Sequence, residues 1–85
     1  MPNPARGAAA IPLDVVAPAS VELALHDAGG RLVRILEAGV PLAAGSHVLR
    51  LDPRDAAGRP LPAGVYFVTL AVEGMRQSER FVLLR

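Results

Sequence analysis

The chain is built from short runs in which every second residue is apolar, and segments rich in Gly and Pro separate these runs. In the clearest run, SVELALHD, the residues Val21, Leu23 and Leu25 share one face of an extended strand, because strand side chains point alternately to opposite sides. Turn-forming residues recur about every 8 to 12 positions, which is typical of an antiparallel sandwich. No connection is long enough for the crossover helix of a parallel sheet. These patterns predict an all-β fold.

We predict an antiparallel β-sandwich of six to seven strands. Pro12 lacks a backbone N–H, so its strand is expected at a sheet edge or at a bulge. Pro41 predicts a break after the third run, although the GRLVRILEAG segment also fits a short amphipathic helix. The VYFVTLAV run is apolar on both faces, which predicts a central strand covered on both sides. The predicted strands are residues 10–16, 20–27, 31–38, 46–52, 65–72 and 76–85.

The chain has 85 residues and no cysteine. A chain of this length forms one small domain, predicted here to span residues 1–85, that buries roughly 60% of its unfolded surface. Neither disulfides nor thiolate metal sites can supplement its core. No apolar stretch approaches the ~20 residues that cross a bilayer, so we expect no membrane insertion.

The charges are balanced and dispersed. All nine basic residues are arginine, eight acidic residues are interleaved with them, and the formal net charge is +1. A nucleic-acid interface needs clustered cations, ideally with stacking aromatic rings, and aromatic residues make up only 4% of the chain. We therefore expect no nucleic-acid partner.

Two nearly identical pentapeptides, DAGGR and DAAGR, begin at Asp27 and Asp55. Each fits a turn in which the first carboxylate accepts backbone N–H bonds, and Gly30 or Gly58 at the fourth position adopts a positive φ. A catalytic site would hardly occur twice in one small chain. We therefore interpret these four residues as turn residues, and Asp52 as a brace of the second loop.

The alternative for Asp52 and Asp55 is a calcium site. Calcium takes six to eight oxygen ligands, and beyond these two carboxylates the loop offers only backbone carbonyls. His26 and His47 are too few for a zinc site. No serine lies in a nucleophile elbow, and no glycine-rich loop precedes a helix. We therefore predict no enzymatic activity, no metal and no cofactor.

Tyr66 stands near the start of the predicted central strand, two residues after Gly64. Its ring is expected in the core and its hydroxyl on loop backbone, as in a tyrosine corner. Gly64 is interpreted as a backbone requirement of the same segment.

Several segments together resemble a known family, the immunoglobulin-like domain named after the flagellar hook-capping protein FlgD. They are also similar to the C-terminal sorting domains of the bacterial type IX secretion system. The resemblance runs from Pro2 to Arg85, and its most specific part leads from Gly45 to Phe67. The segments are PNP, VELALHDAGGRLVRIL, LAAGSHVLRLDPRDAAGRPLPAGVYFVTL and RFVLLR.

The chain departs from the family pattern at four positions. Leu51 stands where Trp is usual and Pro53 where Gly is usual, while Ala5 and His26 replace an aromatic residue and a tyrosine. These changes remove aromatic packing, and we expect the sandwich to tolerate them.

The resemblance implies a non-catalytic module, cut from the C-terminus of a larger secreted or cell-surface bacterial protein. Secretion sorting or surface attachment is the expected function. The alternatives are a spacer or assembly domain of the hook-capping type, and an accessory binding module of a secreted enzyme. The expected partners are the secretion machinery or neighbouring domains of the parent protein, and the oligomeric state stays open.

Overall fold

A computed structural model of the protein describes residues 6–84, and these residues form six β-strands and no helix. The predicted all-β class is therefore confirmed. Within residues 6–84 there is no helix that is long and apolar enough to cross a membrane. The strands are β1 (Ala9–Val15), β2 (Ala19–Asp27), β3 (Leu32–Leu42), β4 (Gly45–Leu51), β5 (Gly64–Val72) and β6 (Met75–Leu83).

The six strands form an immunoglobulin-like sandwich of two antiparallel sheets with unequal widths. One sheet contains β1 and β4, and the other has the order β3-β2-β5-β6. The strands β2 and β3 form an antiparallel hairpin, and Pro12 lies on β1, which pairs only with β4 within residues 6–84. Glu73 and Gly74, with φ of 49° and 81°, form the two-residue turn between β5 and β6.

Two details of the predicted strands are wrong. The third run, predicted to end at residue 38 before a break at Pro41, with a short helix as the alternative, is a strand that continues to Leu42. Proline is tolerated there because β3 is an edge strand and its free side needs no N–H donor. The strand β5 is central but covered on one face only: Tyr66 and Val68 are buried, whereas Phe67 on the opposite face is half-buried.

The core lies between the two sheets and follows the alternation of the sequence. Burying an aliphatic or aromatic side chain of this size stabilises the fold by about 1.5 to 3 kcal/mol. Six side chains are less than 2% exposed: Val21, Leu23, Leu25, Leu51, Phe81 and Leu83. The core is therefore formed by side chains from strands that are distant in the sequence.

Candidate functional site

The turn that begins at Asp27 connects β2 to β3 and is closed by its own aspartate. The Asp27 Oδ1 atom accepts hydrogen bonds from the amides of Gly29 (3.0 Å) and Arg31 (2.9 Å). The Gly30 amide donates to the Asp27 carbonyl at 3.0 Å, and the Arg31 Nε lies 3.5 Å from Oδ2. This is a three-residue hairpin loop that ends in a glycine with φ of 86°.

The turn that begins at Asp55 repeats this geometry. Its Oδ1 atom accepts from the amides of Ala57 and Arg59, both at 2.9 Å, and the Arg59 Nε donates to Oδ2 at 2.9 Å. Gly58, with φ of 83°, donates its amide to the Asp55 carbonyl at 2.9 Å. The hydrogen bond from the Arg59 amide is the main cause that holds the pKa of Asp55 below its usual value of 3.8. These hydrogen bonds therefore favour the ionised form of the Asp55 carboxylate, and that form holds the turn.

Asp52 acts on the second turn through Arg54. The Arg54 Nε lies 3.5 Å from the Asp52 Oδ1, and the Arg54 amide donates to the Asp52 carbonyl at 2.8 Å. The Arg54 Nη1 also donates to the Gly58 carbonyl at 2.9 Å. Asp52 is thus linked to the second turn by one arginine.

Tyr66 lies beside both turns. It is 6% exposed, and its hydroxyl donates to the Pro62 carbonyl at 2.7 Å, which ties the start of β5 to the preceding loop. Gly64 begins β5 opposite Leu83, and a Cβ atom there would lie 4.0 Å from the Tyr66 ring. The predicted residues therefore gather at one end of the sandwich.

An open depression of about 570 Å³ lies between the two turns, with Asp27, Arg31, Asp55, Arg59 and Tyr66 among its lining residues. Both aspartates already accept hydrogen bonds from backbone amides of their own turn, and each forms an ion pair with an arginine of that turn. A general acid or base needs a carboxyl that is available to a substrate. This arrangement instead stabilises the two loops.

The other polar residue types do not form a catalytic set in the described segment. Ser46 donates to the Asp14 Oδ1 at 2.8 Å, whereas the His47 Nε2 donates to the Ala43 carbonyl at 2.6 Å. A nucleophilic triad requires histidine between serine and aspartate, which this pairing does not provide. No group of three or more His, Cys, Asp or Glu side chains within residues 6–84 is arranged to hold a metal.

A comparison with protein families matches residues 4–76 to the model of the FlgD Ig-like domain. The chain belongs to the FlgD Ig-like domain family. This domain is similar in structure to a part of dimeric latent PorU from Porphyromonas gingivalis, with a TM-score of 0.74 and 18% identity over 98% of the chain. It is also similar to FLGD from P. aeruginosa, with a TM-score of 0.61 and 24% identity over 86% of the chain.

Both solved proteins extend beyond the region they share with this FlgD Ig-like domain, PorU by far the more. The match covers 9% of the PorU chain and 58% of the FLGD chain. At these sequence identities the likeness shows the fold alone. No curated protein matches the chain.

One surface of this FlgD Ig-like domain was not predicted from the sequence. A groove runs between β1 and β6, with Leu13 and Leu70 half-buried in it and Gln77 at its border. A signal for it was present, because the first residues of β6, Met75 to Arg80, are polar on both faces after the leading methionine. Such a pattern is typical of a strand whose inner face the opposite sheet does not cover.

Proposed function

We propose that this FlgD Ig-like domain is a non-catalytic module of an exported bacterial protein and acts in secretion sorting or surface attachment. The observation that supports this best is the likeness to a small part of PorU, which extends over 98% of the chain and 9% of PorU. The sequence resemblance to type IX sorting domains supports the same function. The site residues are compatible with it, since the aspartates of the twin turns and Tyr66 form hydrogen bonds with the backbone of their own loops.

We propose that the module belongs to a larger parent protein, with the secretion machinery or neighbouring domains as its partners. The domain matches only part of each solved protein, 9% of PorU and 58% of FLGD, which supports this organisation. An extracellular or cell-surface location would follow from export of the parent.

The second candidate is a spacer or assembly domain, and membership of the FlgD Ig-like family favours it. An accessory carbohydrate-binding module has less support. Sugar-binding faces usually present exposed aromatic rings, whereas Tyr66 and Phe81 are buried here and Phe67 is half-buried.

The deciding experiment fuses residues 1–85 to the C-terminus of a reporter with a signal peptide, in a bacterium that has a type IX machine. The location and intact mass of the reporter are then measured. Sorting predicts reporter at the surface or in the medium, and a mass without the module would reveal cleavage after export.

The control must keep the fold while changing the sequence. Deleting FVLLR is unsuitable, because Phe81 and Leu83 are fully buried and their loss would unfold the sandwich. The matched control is the Ig-like domain of FLGD from P. aeruginosa in the same fusion. Export of the first fusion alone supports sorting, and periplasmic retention of both intact fusions would instead support the spacer.

A further inference from the structure

The small sheet has an unpaired edge along β4, on the side of the sandwich where β3 lies. Ile11, Pro12 and Leu13 of β1 border one cavity together with residues of β6, so β1 is the strand of the small sheet nearer to β6. The free side of β4 therefore faces the direction of β3, and no strand of the described segment pairs with it. An immunoglobulin-type sandwich typically has three strands in its smaller sheet. The small sheet thus has room for one more strand.

The edge of β4 lacks the features that usually protect a sheet edge. It pairs with β1 without a register shift over all seven of its residues, and it contains no proline. By contrast, β1 has Pro12 in its middle, and β3 has Pro41 and several register shifts against β2. Proline and bulges hinder the addition of a strand, whereas a regular edge is a template for one.

Part of the inner face of β3 is incompletely covered by the small sheet. Val33, Leu36 and Leu42 of β3 pack against the core but are only half-buried. Val33 borders the depression that Leu61 also lines, so the loop after β4 contributes to covering this end of β3. Leu36 and Leu42 lie further along the strand. A strand added beside β4 would lie over this part of β3 and bury both leucines more fully.

The outer face of β4 has opposite charges beside its two ends. Arg50 is exposed near the end of the strand, and its neighbour on β1 is Ala10, not an acidic residue. Near the start of the strand, Ser46 donates to the Asp14 Oδ1 at 2.8 Å, which places a carboxylate there. Val48 lies between the two ends and is 68% exposed. Alternate residues of an added strand would therefore meet a cation, an aliphatic side chain and an anion.

We propose that the edge of β4 binds an extended segment of another protein by strand addition, and that this segment has an acidic, an apolar and a basic residue at alternate positions. The acidic residue would lie opposite Arg50, and the basic residue opposite Ser46, within reach of Asp14. Cross-strand neighbours of opposite charge stabilise a sheet. The intervening residues would point inward, where apolar side chains would cover Leu36 and Leu42. Strand addition of this kind is compatible with a sorting module and with a spacer, so it does not depend on that choice.

A second copy of the chain is a poorer occupant of this edge. Pairing of two β4 strands would bring the two four-stranded sheets side by side in the other layer. The β3 strands of the two copies would then compete for the same space, because the half-buried Leu36 and Leu42 place part of β3 beyond the cover of β4. A single extended segment avoids this conflict and completes a sheet of three strands.

The test adds capped synthetic peptides to the isotope-labelled chain and follows NMR shifts and amide exchange. The probe TEVVVKT, aligned antiparallel to β4, places glutamate opposite Arg50 and lysine opposite Ser46. Binding should shift and protect backbone amides of β4 and shift the methyl signals of Leu36 and Leu42. Two further probes are N-methylated at the odd or at the even positions. Only one of them should keep its binding, because alternate amides of an added strand point toward its partner.

The chain offers a matched pair of variants, because Arg50 and Arg76 are both exposed arginines but lie on different sheets. R50E should weaken binding of TEVVVKT roughly fivefold, while R76E should leave it unchanged. R50E should also bind the peptide TKVVVKT more tightly than the original chain does. Unchanged amide signals outside β4 would show that both variants keep the fold.

Four outcomes would overturn the proposal. They are no binding of TEVVVKT, equal binding of both N-methylated probes, equal effects of R50E and R76E, and shifts confined to strands other than β4. Protection of β4 that rises with protein concentration in the absence of peptide would also overturn it, and would assign the edge to a second copy of the chain.

Discussion

Gly30 and Gly58 occupy equivalent positions in two copies of one turn, and their φ angles of 86° and 83° are nearly equal. Each amide donates to the carbonyl of the aspartate that opens its turn. Open space surrounds both positions, since no heavy atom within residues 6–84 lies within 4 Å of an added Cβ, apart from chain neighbours. The requirement for glycine is therefore conformational and not steric.

G30A and G58A should each lower the free energy of unfolding by about 1 kcal/mol, because a left-handed conformation disfavours a residue with a Cβ. Urea unfolding measures the change. G29A is the matched control in the same turn, since Gly29 has no positive φ. A loss in G29A as large as in G30A would contradict the conformational explanation.

Asp55 should make stability depend on pH in the acid range. Because the pKa of Asp55 in the folded state lies below its usual value of 3.8, the ionised carboxylate stabilises the fold above that pH. This contribution is lost as the pH falls through the folded-state pKa. The Tm difference between the original protein and D55N should therefore be largest near neutral pH and shrink below about pH 4. A constant difference across the titration would argue against the role of the charge.

The Tyr66 hydroxyl should contribute measurably to stability through its 2.7 Å bond to the Pro62 carbonyl. Y66F removes this one hydroxyl and keeps the buried ring, so we expect a loss of about 1 kcal/mol. Chemical denaturation measures this loss of unfolding free energy, provided that the m value is the same in both proteins. Unchanged stability in Y66F would rule out a structural role of the hydroxyl.

Leu23 should be among the most sensitive core positions. Its side chain is fully buried between the sheets, so L23A should cost about 2 to 5 kcal/mol and leave much of so small a domain unfolded. Ile35 is 55% exposed on the neighbouring strand, and I35A should cost less than about 0.5 kcal/mol. Circular dichroism melts of the two variants test the contrast, and similar losses would show that the core lies elsewhere.

Calcium should leave the thermal stability unchanged. Asp55 is occupied by amides and a guanidinium, and Asp52 lies beside Arg54, so an ion would have to displace these contacts. Melting in millimolar calcium and in excess chelator measures the effect. A rise in Tm with calcium that D52N abolishes would establish the calcium site after all.

Local patterns were sufficient to predict the strands and the fold class. The alternation of Val21, Leu23 and Leu25 predicted the buried face of β2, and the confirmed sandwich follows from several such runs. The prediction at Pro41 was wrong because the conformational preference of proline alone does not distinguish an edge strand that tolerates it from the end of a strand. The prediction that β5 is covered on both faces was wrong for a related reason. An apolar residue such as Phe67 on the outer face does not reveal whether another layer covers that face.

Relations between distant strands were beyond the sequence patterns. The polar first residues of β6 indicate an uncovered inner face, but the groove beside Leu13 and Leu70 also depends on a two-stranded sheet lying over a four-stranded one, and no local pattern gives the number of strands in each sheet. The repeated pentapeptides predicted two similar turns. Their position beside Tyr66 follows only from contacts between distant segments, such as the pairing of β2 with β5, which sets Asp27 opposite Tyr66.

The pairing of β1 with β4 has a consequence for the order of folding. The strands β5 and β6 are joined by two residues and can pair as soon as both exist, whereas Ala9 must find Leu51 across two intervening strands. Closing the longer loop costs more chain entropy before any contact compensates for it. During synthesis β1 emerges from the ribosome first, and we expect it to be incorporated late, after its partner strand has been made. The small sheet would then assemble on a four-stranded sheet that already exists.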